Sequence, residues 1–173
     1  MSSDRRSRTG TFFAALVLTI SAGLLSACQV RPLYSEHSAT SQALKSIGFS
    51  QAEDRVAQEV RNRLIFLTSG GAGEAVNPEY QVDLAVRTRI VGVLVDATSD
   101  EARAGRVIVN VTYALKRART GEIIKNGNRS AIALVDYPEQ EFAKIRAIRD
   151  AENRAAREAA EFVRMDLAGA LVQ

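Results

Sequence analysis

The chain has 173 residues, 46% of them hydrophobic, with one cysteine, one histidine and no tryptophan. That length suits a single domain with a core of its own, and one cysteine excludes an internal disulfide. The 23 basic and 20 acidic residues leave a formal charge of +3. No basic run is interleaved with aromatics, so a nucleic-acid surface is not expected.

Residues 1–27 read as an export signal. Arg5, Arg6 and Arg8 form a positive start, and an apolar run follows from Phe12 to Leu25. The run is shorter than the ~20 residues that cross a bilayer core and ends in small residues, as a cleavable signal does. Leu25-Ser26-Ala27-Cys28 has the pattern of the bacterial lipobox. The cysteine thiol there takes the lipid, and small neighbours let the peptidase close on the backbone. Cys28 is the expected lipidation site; the alternative is an ordinary signal with an incidental cysteine, or an uncleaved anchor. Three acyl chains, each contributing ~0.8 kcal/mol per buried CH2, would make the attachment permanent. Gln29 stands where an aspartate would mark inner-membrane retention, so an outer-membrane anchor facing the periplasm is expected. Removing residues 1–27 takes away three arginines and Asp4, leaving 146 residues with 20 basic and 19 acidic groups.

Residues 28–41 read as a lipidated tether: Arg31-Pro32-Leu33-Tyr34 leads into a Ser/Thr/His/Ala stretch without period. His37 lies there, where a lone histidine is solvated rather than a ligand. A single domain is expected over 42–173. Residues 43–49 suit a short strand. From Gln51 to Thr68 the spacing of Val56, Val60, Leu64 and Leu67 predicts a helix, with Ser50 and Glu53 placed as a capping box. Ser69-Gly70-Gly71 ends it, and a Gly-rich loop runs to Asn77-Pro78.

Three strands follow. In Tyr80–Ile90, Tyr80, Val82, Leu84, Val86 and Ile90 share one face, and Gln81, Asp83, Arg87 and Arg89 the other. Val107, Val109, Val111, Tyr113 and Leu115 alternate with polar residues in the second strand. Thr120-Gly121 signals a hairpin into the third, Glu122 to Tyr137, where Gly127 suits a bulge or bend. Such alternation marks an antiparallel meander covered on one face. From Glu139 to about Ala168 neither Gly nor Pro appears, and a stripe from Phe142 through Ala151, Ala155 and Ala159 to Val163 predicts ~45 Å of helix. The class is α+β, two helices packed on one face of the sheet.

Catalysis needs convergent groups. A histidine in a tether and a lipid-blocked cysteine leave no Cys/His or Ser/His/Asp mechanism and no usual zinc site. No phosphate-cradling Gly-rich loop joins a strand to a helix, so neither an enzyme nor a cofactor is expected. The remaining polar features are basic. Arg87 and Arg89 share a strand face, and Arg103 and Arg106 flank the link after Asp100-Glu101. Arginine forks match phosphate oxygens, which makes these four candidates for a phosphorylated glycolipid, with ordinary solvated charges as the alternative.

The order of lipobox, Arg-Pro-Leu-Tyr, short strand, helix, meander and alanine-rich helix resembles the lipopolysaccharide-assembly lipoprotein LptE family in its alphaproteobacterial form. The local matches are Cys28 to Tyr34 (CQVRPLY), Val56 to Leu64 (VAQEVRNRL) for the first helix, Tyr80 to Leu84 (YQVDL) for the first meander strand and Asp150 to Ala156 (DAENRAA) in the last helix. Gln29 departs from the glycine often found there. The resemblance implies two helices on a four-stranded mixed, mostly antiparallel sheet. It also implies a plug and assembly partner within the LptD β-barrel, helping lipopolysaccharide reach the outer leaflet. It assigns no lipopolysaccharide contacts to residues of this chain. Two other classes stay open, an auxiliary lipoprotein of a lipid-trafficking ABC transporter and a periplasmic enzyme with a carboxylate-lined cleft.

Overall fold

A computed structural model describes residues 39–95 and 102–172. Residues 1–27, Cys28 and the tether as far as 38 lie outside the described residues, as does the Asp100-Glu101 link. Within them the chain is α+β, with three helices and one four-stranded mixed sheet in the order β1-β2-β3-β4.

The first element differs from expectation. Ala39–Lys45 (ATSQALK) is a helix, α1, and only Ile47–Phe49 is strand, β1. Ala, Gln, Leu and Lys favour helix, and Leu44 anchors it with 3% exposure. Gly48 is needed in β1, because a Cβ would lie 2.9 Å from Gln81 Oε1 and 3.0 Å from Pro78.

The second helix, α2, spans Arg55–Ser69 and is capped by Asp54, not Ser50: the Asp54 carboxylate accepts from Ala57 N at 2.7 Å. Ser50 instead spends its hydroxyl on β2, accepting from Leu84 N at 3.0 Å. Gly70, with φ of 67°, closes α2 in the left-handed conformation that spares a glycine the Cβ clash. Val56, Val60, Leu64 and Thr68 are buried on its inner side.

β1 pairs parallel with β2 (Tyr80–Val95), and α2 is the crossover between them. β2, β3 (Ala102–Arg117) and β4 (Ile123–Asp136) form the expected antiparallel meander. Val82 opposes Leu115, Leu84 opposes Tyr113 and Val86 opposes Val111, so the predicted apolar faces meet on the helix side. β2 runs five residues past Ile90 and β3 begins five before Val107. The intervening β-branched and small residues keep extended backbone after the alternation has faded. The irregularity in β4 falls at Ile124, where the pairing slips between Leu115 and Lys116, and not at Gly127.

The last helix, α3, is Glu141–Leu171. Ala151, Ala155, Ala156, Ala159 and Ala160 are fully buried, so its axis lies close to its neighbours. α2 and α3 run parallel. Arg55 pairs with Glu152, Arg157 with Glu59 at 3.2 Å, and Arg63 with Glu161 at 2.7 Å, each step four or five residues along both helices. The stripe fails at its start, for Phe142 and Ile145 are 71% and 46% exposed. The first turns of α3 extend beyond the core.

Candidate functional site

Among the described residues, the sheet has one face under the helices and one without them, and the second collects the features left over from packing. Its side chains come from odd positions of β2 and even positions of β3 and β4. Near the middle lies an open basin of about 570 Å³ floored by Ala85 and Ala114. Around it, Lys116 Nζ reaches Asp83 at 2.6 Å, and Asn128 Nδ2 donates to Thr112 Oγ1 at 2.9 Å. Small residues at facing positions make the hollow, and amides, a hydroxyl and an ion pair line it.

Towards the free ends of β2 and β3 the face becomes cationic and apolar. Arg89 opposes Ile108, which opposes Ile132; Arg106 stands between Val91 and Leu134. Ile132 and Leu134 are 51% and 68% exposed. Arg87 lies two residues from Arg89, and Arg106 is diagonal to it, at the ~7–8 Å typical of such neighbours. Among the described residues, none of these three arginines makes an ion pair or side-chain hydrogen bond.

The fourth predicted arginine does not join them. Arg103 and Arg106 sit inside β3 rather than flanking a link, because β3 starts at Ala102. Three residues apart on a strand, they point to opposite faces, and Arg103 falls on the helix side. Its carbonyl accepts from Tyr137 N at 2.9 Å. Cys28 lies outside the described residues. Also among the described residues, no three His, Cys, Asp or Glu side chains converge as metal ligands, and no helix is long and apolar enough to cross a membrane.

One cluster escaped sequence reasoning. Tyr113 donates its hydroxyl to Asp166 at 2.6 Å, and Arg129 grips the same carboxylate through Nε and Nη2, both at 2.6 Å. The Arg129 hydrogen bond is the main force holding the Asp166 pKa below its ordinary 3.8, against desolvation. Burial, then the hydrogen bond to Asp166, raises the phenol of Tyr113 above its usual 10. Gly127 was the available signal. It lies directly opposite Tyr113 and leaves space for the ring. The cluster ties β3 and β4 to α3.

No protein-family model matches the chain, and no curated protein matches it. Among solved structures it is similar to a candidate lipoprotein from Caulobacter crescentus CB15, with 25% identity and a TM-score of 0.63 over 76% of this chain and 95% of that one. It is also similar to the rare lipoprotein B of Shewanella oneidensis (16% identity, TM-score 0.53, 71% of this chain and 92% of that one). A minor lipoprotein from Acinetobacter baumannii follows, with 12% identity and a TM-score of 0.52 over 71% and 88% of the two chains. The chain shares the fold of these lipoproteins. At their identities the last two matches bear on the fold alone.

Proposed function

We propose that the chain is an outer-membrane lipoprotein, lipidated at Cys28, that plugs and helps assemble the LptD β-barrel and supports lipopolysaccharide transport to the outer leaflet. The observation that carries this reading is the fold: the same α+β unit occurs in lipoproteins, rare lipoprotein B among them. Here it follows a lipobox and the ordered motifs of the LptE resemblance. The physical fit is good. A barrel lumen is polar, and the amides, hydroxyls and ion pair around the middle of the open sheet face suit such a lining. The zone of Arg87, Arg89 and Arg106 beside Ile132 and Leu134 suits an amphiphile that carries phosphates on an apolar body, as lipopolysaccharide does. Arg103, on the other face, is not part of that zone.

Affinity capture of the tagged full chain from native outer membranes tests the assignment. A large β-barrel should co-purify, held by an enclosed interface above ~2,000 Å². Recovery of an inner-membrane ABC complex instead would replace this reading with that of a transporter auxiliary lipoprotein. Binding of purified lipopolysaccharide tests the arginines separately. The triple variant Arg87→Ser, Arg89→Ser, Arg106→Ser should keep the barrel and bind lipopolysaccharide more weakly. Equal affinity at moderate salt would reduce the three to solvated charges.

A further inference from the structure

We infer that the open edge of β2, from Thr88 onward, is a docking site for an extended strand of another protein, one that alternates acidic and β-branched apolar residues. The edge is already a pairing surface. Tyr80 N donates to Ser46 O, Ser50 N to Val82 O and Leu84 N to Ser50 Oγ, at 3.2, 2.9 and 3.0 Å. Even-numbered residues of β2 therefore aim their backbone groups at the β1 side, and odd-numbered ones at β3. By the period of two, Thr88, Ile90 and Gly92 present N–H and C=O to that same side. β1 stops at Phe49, opposite Val82, and among the described residues no strand continues it. An added segment would extend an existing ladder, and eight residues would cover ~26 Å of edge.

The other edge is guarded. Leu134 O on β4 accepts from Arg154 Nη2 at 2.9 Å, Arg129 is held by Asp166, and α3 packs along that strand. Among the described residues, no clip of this kind protects β2 from Thr88 onward.

Side chains specify the occupant. On the open sheet face, Arg87 and Arg89 flank the edge with no acidic partner among the described residues, and Arg106 stands diagonally behind Arg89. A residue paired opposite either arginine gains most if it is Asp or Glu. On the helix side the neighbours are Thr88 and Ile90, the latter 44% exposed, which favour Val, Ile or Thr. Self-pairing of β2 centred on Thr88 is disfavoured, because it sets Arg87 against Arg89. The inference does not rest on the barrel reading, since it uses only the ladder and its flanking charges.

The probe is a fluorescein-labelled, capped octapeptide, Glu-Val-Glu-Thr-Glu-Ile-Glu-Val, titrated onto the full chain in detergent and followed by anisotropy. It should bind in the micromolar range and protect the Thr88, Ile90 and Gly92 amides from hydrogen exchange. Replacing Glu by Lys in the peptide should weaken binding at least about tenfold. Ile90→Pro removes an N–H that no described strand uses, a change edge strands tolerate, and should weaken binding to a similar degree. Because that variant could misfold, the same octapeptide N-methylated at its edge-facing amides is titrated onto the unaltered chain, and it should not bind. The inference is overturned by undetectable binding at millimolar peptide, or by equal affinity of the N-methylated or lysine peptides. Dimerisation of the chain alone that is lost in Ile90→Pro would overturn it too, assigning the edge to self-association. A failed barrel capture would leave all these results unchanged.

Discussion

Gly127→Ala should destabilise the domain far more than a typical strand substitution, for a reason visible in three distances. A Cβ at Gly127 would lie 2.6 Å from Tyr113 Oη, 2.8 Å from Cζ and 2.9 Å from Cε1, closer than any real Cβ contact. The ring has little room to yield. Tyr113 is 1% exposed, and its hydroxyl is held at 2.6 Å by Asp166, which Arg129 grips with two further bonds. If the strand shifts to accommodate the methyl group, overpacking costs about 1–3 kcal/mol. If the ring is displaced instead, a hydrogen bond to a charged group goes with it, about 1.5–3 kcal/mol more. Urea unfolding followed by circular dichroism should therefore show a loss of about 1–6 kcal/mol at unchanged slope. Tyr113→Leu costs stability by itself but removes the obstacle, so Gly127→Ala in that background should cost less than about 0.5 kcal/mol. The coupling energy in this double-mutant cycle is the decisive quantity. A single variant within about 0.5 kcal/mol of the parent, or additive singles, would refute the packing argument.

Acid should act through Asp166. Its folded pKa lies below the unfolded value, so its stabilisation is complete above about pH 4 and is lost as pH falls through the lower folded value. Asp166→Asn should be less stable at pH 7 and show a flatter decline between about pH 4 and pH 2; an unchanged slope there would remove Asp166 from the account. Asp54→Ala should cost about 1 kcal/mol by removing the cap of α2, with near-normal sheet pairing by amide exchange. Ser50→Ala should instead expose the Leu84 amide to exchange and leave α2 capped, a contrast that separates the two hydroxyl and carboxylate roles. Cys28→Ser should give an uncleaved precursor that takes up no labelled palmitate, and incorporation of the label would sink the lipidation proposal.

The meander and both long helices were legible because one face of each is buried, which leaves a period in the sequence. Val107, Val109, Val111, Tyr113 and Leu115 alternate since all five sit under helices. Legibility ended where that condition ended. Past Ile90 the alternation on β2 fades because α2, whose first turns lie beside Leu84 and Val86, does not reach that part of the strand. The four arginines read as one group because a sequence shows spacing and not strand ends. Once β3 begins at Ala102, an offset of three separates Arg103 from Arg106. The cap of α2 was misplaced by four residues for a chemical reason. Ser50 and Asp54 are both competent N-caps, and Ser50 is drawn away by the unpaired amide of Leu84. The Tyr113, Arg129 and Asp166 cluster joins two strands and a helix across 53 positions, beyond the reach of any local pattern.

Relative lengths explain why the exposed arginines and the open edge of β2 gather at one end. Fifteen residues of α2 span ~22 Å, whereas sixteen residues of β2 span ~53 Å. The first turns of α2 lie beside Leu84 and Val86, and from there the helix runs back towards the start of β2. It therefore cannot cover Thr88, Ile90 or Gly92. α3 is long enough to follow the sheet, yet its own first turns leave Phe142 and Ile145 exposed. A chain selected for stability alone would gain from shortening β2 and β3 or lengthening α2, since either removes apolar surface from water at ~25 cal/mol per Å². Keeping long strands, and, among the described residues, arginines without acidic partners and an unpaired edge at the same end, is a cost that a bound partner would offset. The basic and apolar zone of the sheet face and the open edge of β2 then belong to one surface, exposed in the isolated chain and suited to burial in a complex.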